Sequence, residues 1–238
     1  MVDDWAEDMG PIADLICPGF IARSIGVACD FAADVTQVRT TVFPSARVVQ
    51  AILGEGITDA MLYLHHAATW DIRQSPTFQQ MDRGLLGEFR DRKISVFVHH
   101  LPLDNYGEYS TSRTLAEAIG LKPEKAFCRE TGATYGVIGS GTIRSVLELQ
   151  EAFAGAVGHR ASLYPYGDSG IPGGRVAVVA GGGHTVSVLR DVMAEGVNVL
   201  GGTHYSTEAP ACRAMCRYFA GLGLPARFVP DDPVLEDL

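Results

Sequence analysis

Two apolar runs, AMLYL at 60–64 and ISVFV at 94–98, limit the possible folds of this chain more than any other feature. Neither alternates apolar with polar residues. Each therefore reads as a strand covered on both faces, the habit of parallel sheets flanked by helices. Around them the pattern switches to helical spacing. Ser45 caps a helix with Val48, Val49, Ile52 and Leu53 on one face, ending at Gly54 or Gly56. Ser75-Pro76 opens a second helix, with Phe78, Met81, Leu85 and Leu86 inward, and a third carries Leu115 and Ile119 and ends at Gly120.

The rest of the chain continues the alternation. SIGVACDF (24–31) reads as a strand, and KAFCRE, TG and ATYGVIG across 125–140 read as a hairpin. RSVLELQEAFAGAVG (143–157) is a helix and YPYGDSGIPGG a loop. RVAVVA (175–180) is a buried type of strand. A helix after GGGH, a strand VNVL (197–200), a helix over 207–220 and a strand ARFVP (226–230) complete the series. Repeated β–α units of this kind predict an α/β fold with a mainly parallel sheet.

One internal echo predicts two similar halves, divided into residues 1–122 and 123–238 without a long linker. ISVFVHHLPLD and VNVLGGTHYSTE both run from a strand to a histidine with a carboxylate four residues on: His100 with Asp104, and His204 with Glu208.

The histidines bear on function. In an open α/β sheet, ligands bind beyond the C-terminal ends of the strands. Five of the seven histidines stand at such ends, His65-His66, His99-His100 and His204. Core packing does not require that distribution. Histidine with carboxylate suits Zn²⁺, Fe²⁺ or Mn²⁺ rather than Mg²⁺ or Ca²⁺. Neighbouring residues of a regular strand point to opposite faces, so His65 and His66 reach one ion only if the strand ends there. Two neighbouring ions about 3.5–4 Å apart, bridged by a carboxylate, would use both rings.

Composition removes several other functions. The formal charge is −9 with no Lys/Arg run, which argues against a nucleic-acid partner. MVDDWAED lacks the positive start of a secretory signal, and no apolar stretch is long enough for a bilayer, so a cytoplasmic protein is expected. Five scattered cysteines argue against a disulfide framework, and Cys212 and Cys216 read as packing residues on one helix face. Ser206 lacks a free histidine base, and no G-x-S-x-G occurs. The glycines of Gly181-Gly182-Gly183-His184 either hold an anion at a helix start or make a tight turn; Gly182 and Gly183 are candidate substrate contacts. Trp70 and Tyr205, beside the histidines, are candidates to stack on a substrate ring. His159, next to Arg160, reads as an exposed loop residue.

LYLHHAATWD, VHHLPLD and above all GGTHYSTEAP resemble segments of the Nif-three-like family, whose members include GTP cyclohydrolase I type 2 homologues. VACDFAADV and RVAVVAGGG fit its first strand and its glycine turn, so the resemblance covers about residues 20–230. The chain departs from the family pattern in Ala67-Ala68, where Pro-Leu is usual, and its length matches forms without an inserted domain. The resemblance implies two α/β halves with a metal site in the cleft between them. It implies a dinuclear centre of His65, His66, Asp104, His204 and Glu208, with Glu208 bridging and His100 as a catalytic proton-transfer partner. It further implies a hydrolase acting through a metal-bound water on a small-molecule substrate, by GTP cyclohydrolase-like ring opening or a related reaction, and a homo-oligomer in the form of a hexameric ring. The competing expectation is a non-catalytic metal-binding regulatory or interaction protein.

Overall fold

The computed structural model describes residues 10–17, 20, 25–67, 69–70, 78–79, 81–130, 132–182 and 186–232. In chain order the elements are β1 (Gly26–Cys29), β2 (Gln37–Thr41), α1 (Ala46–Gly54), β3 (Ala60–Leu64), β4 (Thr69–Trp70), β5 (Phe78–Gln79), α2 (Arg83–Asp91), β6 (Ile94–Val98) and α3 (Leu101–Asp104). They continue with α4 (Thr111–Ala118), β7 (Lys122–Glu130), β8 (Ala133–Ser140), α5 (Val146–Val157), β9 (Ser162–Tyr164), β10 (Arg175–Val178), α6 (Val186–Ala194), β11 (Val199–Gly201), α7 (His204–Gly221) and β12 (Ala226–Phe228). The fold is mixed α/β, with one mainly parallel sheet. Among the described residues no helix is long and apolar enough to cross a membrane.

The described residues fall into two compact units, one up to Pro102 together with Cys212–Asp232 and the other Leu103–Ala211. The chain thus passes between them twice, where the sequence suggested one division at 122 and 123.

The first unit is built on a five-stranded sheet in the order β1-β6-β3-β2-β12. All its pairs are parallel except β1 with β6. The two apolar runs become the neighbours β3 and β6. On one face Leu62, Leu64, Ile94, Val96 and Val98 pack with Val48, Val49, Ile52 and Leu53 of α1 and Leu86 and Phe89 of α2. Burying each such side chain contributes about 1.5–3 kcal/mol. On the other face the Tyr63 ring meets Phe219 of α7 edge-on, with centroids 5.4 Å apart. Both faces are therefore covered, as the unbroken apolar pattern requires. Ser45 caps α1 by accepting a hydrogen bond from the Val48 N–H.

Two features of this unit differ from the sequence expectation. The helix predicted from Ser75-Pro76 starts only at Arg83, where Asp82 accepts from the Gly84 and Leu85 N–H groups; Phe78 lies in β5, and Ser75 and Pro76 lie outside the described residues. Strand β2, QVRTT, carries no apolar signal, because only Val38 among its five residues is apolar. It nevertheless occupies an interior position, with Val38, Thr40 and Thr41 fully buried. Two of its polar side chains are answered: the Arg39 Nε donates to Glu55 Oε2 at 2.8 Å and the Thr40 hydroxyl to the Cys212 carbonyl at 2.8 Å, while the buried Thr41 hydroxyl meets no hydrogen-bond partner among the described residues.

In the second unit every strand pair is antiparallel: β7 with β8, β8 with β10, and β9 with β11. The hairpin read at 125–140 is present, folding back at once through Gly132 at φ +88°; a tight hairpin is antiparallel by construction, and the mainly parallel sheets expected of both halves are found only in the first unit. Strand β10 is not the doubly buried strand expected; only Val178 of its four residues is buried. Helices α4 and α5 supply Leu115, Ile119, Phe153 and Val157 to the core, where they meet Val137 and Val178. Ser145 caps α5, and Gly158 ends it in the left-handed conformation.

Candidate functional site

The in-register pairing of β3 with β6, Leu64 opposite Val98, places the residues that follow the two strands side by side. Backbone bonds extend the ladder past the strand ends: the His65 N–H donates to the Thr41 carbonyl, the His66 N–H to Val42 and the His99 N–H to Leu64. Because β3 stops at Leu64, His65 and His66 escape strict alternation, and their rings lie 4.5 Å apart between centroids. His100 joins them at 5.2 Å from His65 and 4.5 Å from His66. One ring nitrogen from each of these three histidines lies within 4.8 Å of the other two, and His65 and His66 are 0% and 5% exposed.

Neighbours fix these rings. The Nδ1 of His65 is 3.2 Å from the His99 carbonyl oxygen. A carbonyl only accepts, so Nδ1 carries the proton and Nε2 presents its lone pair, the tautomer a metal ligand needs. His66 stacks on Phe43 at 4.7 Å. The ring of His99, whose role the sequence left open, bonds through Nδ1 to the Tyr63 hydroxyl at 2.7 Å. His99 thus serves the cluster by its backbone, which no sequence motif announces.

The second unit carries the other expected ligands. Helix α7 starts at His204, three residues before the expected start. Thr203 and Ser206 exchange bonds at its N-terminus: the Thr203 N–H donates to Ser206 Oγ and the Ser206 N–H to Thr203 Oγ1, both at 3.0 Å. The earlier start puts His204 and Glu208 one turn apart on one helix, with His204 Nε2 3.2 Å from Glu208 Oε1. Glu208 is 3% exposed. A carboxylate oxygen of Asp104, the last residue of α3, lies within 4.8 Å of one from Glu208, and the Thr111 hydroxyl holds Asp104 Oδ1 at 3.0 Å. Two acidic groups so close, one buried, favour a cation between or beside them.

Glycine 181 closes on this pair. Its φ is +80°, and a Cβ there would stand 2.6 Å from Glu208 Oε1 and 3.4 Å from His204 Nε2. The glycine turn is thus required by close approach, and its position against Glu208 is a site feature that sequence reasoning missed. Gly182 is exposed, and a Cβ there would lie 3.8 Å from the His204 ring. Tyr205 is buried at 2% exposure. The Trp70 side chain, Gly183 and His184 lie outside the described residues. His159 is half-buried rather than exposed, and its Nε2 meets Ser206 Oγ at 2.9 Å. Ser206 is itself 1% exposed and bound into the helix cap, so this pair is architectural. Cys212 is fully buried with its thiol on the Thr41 carbonyl, and neither it nor Cys216 forms a disulfide.

The donors present suit a divalent metal: imidazoles, one of them held at Nδ1 by a backbone carbonyl, a buried carboxylate, and a glycine cradle that leaves no room for a side chain. Several of these histidine and glutamate groups could bind such an ion.

The profile of the Duf34/NIF3 (NGG1p interacting factor 3) family matches residues 22–200. No curated protein matches the chain. Among solved structures, a protein named ybgI, of unknown function, superposes with a TM-score of 0.68 at 20% identity, over 86% of this chain and 92% of that one. TTHA1606 from Thermus thermophilus has a TM-score of 0.68 at 18% identity, covering 97% and 95%. Reduced HcgD from Methanocaldococcus jannaschii has a TM-score of 0.63 at 17% identity, covering 94% and 95%. At these identities the likeness is one of fold.

Proposed function

The chain belongs to the Duf34/NIF3 family, and from that premise we propose that it is a divalent-metal hydrolase of a small molecule. In this reading His65, His66, Asp104, His204 and Glu208 hold two cations of the zinc, iron or manganese type. The observation that carries it is the trio of imidazole nitrogens within 4.8 Å at buried His65 and His66 beside His100. When bound, the metal supplies Lewis acidity and makes water acidic enough to attack near neutral pH.

The protein's own groups divide the remaining work. The His99 carbonyl keeps the His65 proton on Nδ1. Phe43 holds the His66 ring by stacking. Thr111 fixes the orientation of Asp104 by donating to its Oδ1. His100, half-buried beside the other two rings, takes a proton from the attacking group or returns one to the leaving group. Cyclohydrolase-like ring opening is the form that the family resemblance suggests. The reading extends to a cytoplasmic hexameric ring, and light scattering on the purified protein checks the assembly.

The test uses metal-stripped protein titrated with Mn²⁺ and Zn²⁺, then assayed on nucleotides including GTP, cyclic amidines and phosphoesters, beside a His65→Ala variant. At least about one tightly held metal per chain, with turnover lost in the variant, supports the reading. Metal binding without turnover of any substrate makes the protein a non-catalytic metal-dependent regulator. Fewer than about one metal per chain at neutral pH removes the metal reading itself.

A further inference from the structure

The second unit holds a cavity of about 290 Å³ between α4, α5, β10, α6 and β11. Among the described residues nineteen line it, and none of these is charged. Only Asn198 and Thr207 carry polar side chains, and both are engaged elsewhere. The Asn198 amide donates to the Asp168 carbonyl and accepts from the Gly167 N–H, while the Thr207 hydroxyl bonds to the Thr203 carbonyl and accepts from the Gly181 N–H. What the cavity offers a visitor is therefore aliphatic and aromatic surface: Leu115, Phe153, Val176, Val192 and Leu200.

One wall is shared with the donor residues. Gly181 lines the cavity and is also the residue whose absent Cβ lets Glu208 and His204 approach. Gly202 and Thr207, on either side of His204 in sequence, line it too. The cavity and the His204–Glu208 pair therefore share Gly181 as a wall. The volume is roughly twice that of an apolar cavity which holds one benzene. It is too small for a peptide helix, and at the low end of small-molecule pockets. With no Lys or Arg among the described lining residues, they offer nothing to neutralise a phosphate chain.

We infer that this cavity receives the uncharged apolar body, about two rings across, of the molecule whose polar end meets His204 and Glu208. The inference rests on reading those two residues as metal ligands. It makes the substrate an aromatic or alicyclic compound with one metal-seeking polar end, and it argues against a nucleoside triphosphate.

Two titrations of the full chain test it. N-phenyl-1-naphthylamine, a neutral dye, is added to metal-free protein and followed by fluorescence. Saturable binding at one per chain is expected, weakened about tenfold or more in Val176→Phe, which fills the cavity, and in Val192→Glu, which charges its wall. Thermal melts confirm that each variant is folded, and a variant that fails to fold is set aside in favour of the other. The inference is overturned if the parent chain binds no dye, or if the folded variants bind it as tightly as the parent does. Dye binding that disappears as chains associate overturns it as well, because a second copy then covers the cavity.

The second titration compares 2-naphthohydroxamic acid with acetohydroxamic acid on the metal-loaded protein. The naphthyl compound should bind at least about tenfold tighter, and Val176→Phe should erase that advantage. Equal affinity overturns the link between cavity and ligand pair. A protein that holds no metal refutes the preceding proposal instead, while the dye titration still decides the cavity.

Discussion

Alanine at position 181 separates a metal ligand from an ordinary buried carboxylate. Two costs arise, and they fall on different observables. The first is backbone strain: φ is +80°, and a residue with a Cβ in the left-handed region costs about 1–2 kcal/mol. For a chain of this size that lowers Tm by about 2–8 °C. The second is collision, since the new Cβ would stand 2.6 Å from Glu208 Oε1. The oxygen ends a flexible side chain, so it must withdraw by about 0.8 Å to regain ordinary contact, at small cost to stability. Metal coordination tolerates displacements of only about 0.2 Å, so affinity should fall about 10–100-fold. Gly120→Ala is the matched control: φ there is +82°, yet nothing lies within 4 Å of the added Cβ. It should lose a similar amount of Tm and keep metal affinity. Calorimetric titration of both stripped variants with Mn²⁺, beside differential scanning calorimetry, reads the two effects apart. If Gly181→Ala binds Mn²⁺ as tightly as Gly120→Ala does, Glu208 is not a ligand and the proposed donor set is wrong.

Three further outcomes follow, the first two in the sheet beneath the histidines. The Ser95 hydroxyl accepts from the Phe31 and Ala32 N–H groups at 2.9 and 2.8 Å, so Ser95→Ala should remove about 2–4 kcal/mol, read as a shifted urea midpoint with an unchanged slope. Burial, with a smaller contribution from Cys17, pushes the Cys29 thiol from 9.0 up to about 12. Below pH 9 the thiol is protonated folded or unfolded; above it the unfolded chain ionises first, so stability is lost as pH rises from about 9 towards 12. The gap in urea midpoint between the parent chain and Cys29→Ala should narrow or reverse across that window. Iodoacetamide at pH 8 should label exposed Cys128 and leave Cys29 intact by mass spectrometry.

What the sequence revealed of this protein follows the range of the interactions involved. Helix α1 could be read from its Ser45 cap to an end at Gly54 or Gly56 because its cap and its apolar face lie within nine positions of each other. The histidine trio could be anticipated because two strands of one apolar type end in the same dipeptide, and parallel in-register pairing does the rest. Strand β2 could not, because its buried Thr40 and Arg39 find their partners in Cys212 and Glu55, which no local pattern reveals. The same limit hid the contact of His159 with Ser206, 47 residues away, and the pressure of Gly181 on Glu208. The start of α7 was missed for a nearer reason: its cap pairs Thr203 with a serine rather than the glutamate of the usual capping box. That error concerned three residues, yet it decides the chemistry. With the helix beginning at His204, the i,i+4 spacing that looked like a loose echo of His100 and Asp104 becomes a fixed distance between a ring nitrogen and a carboxylate, and that is a geometry a metal can use.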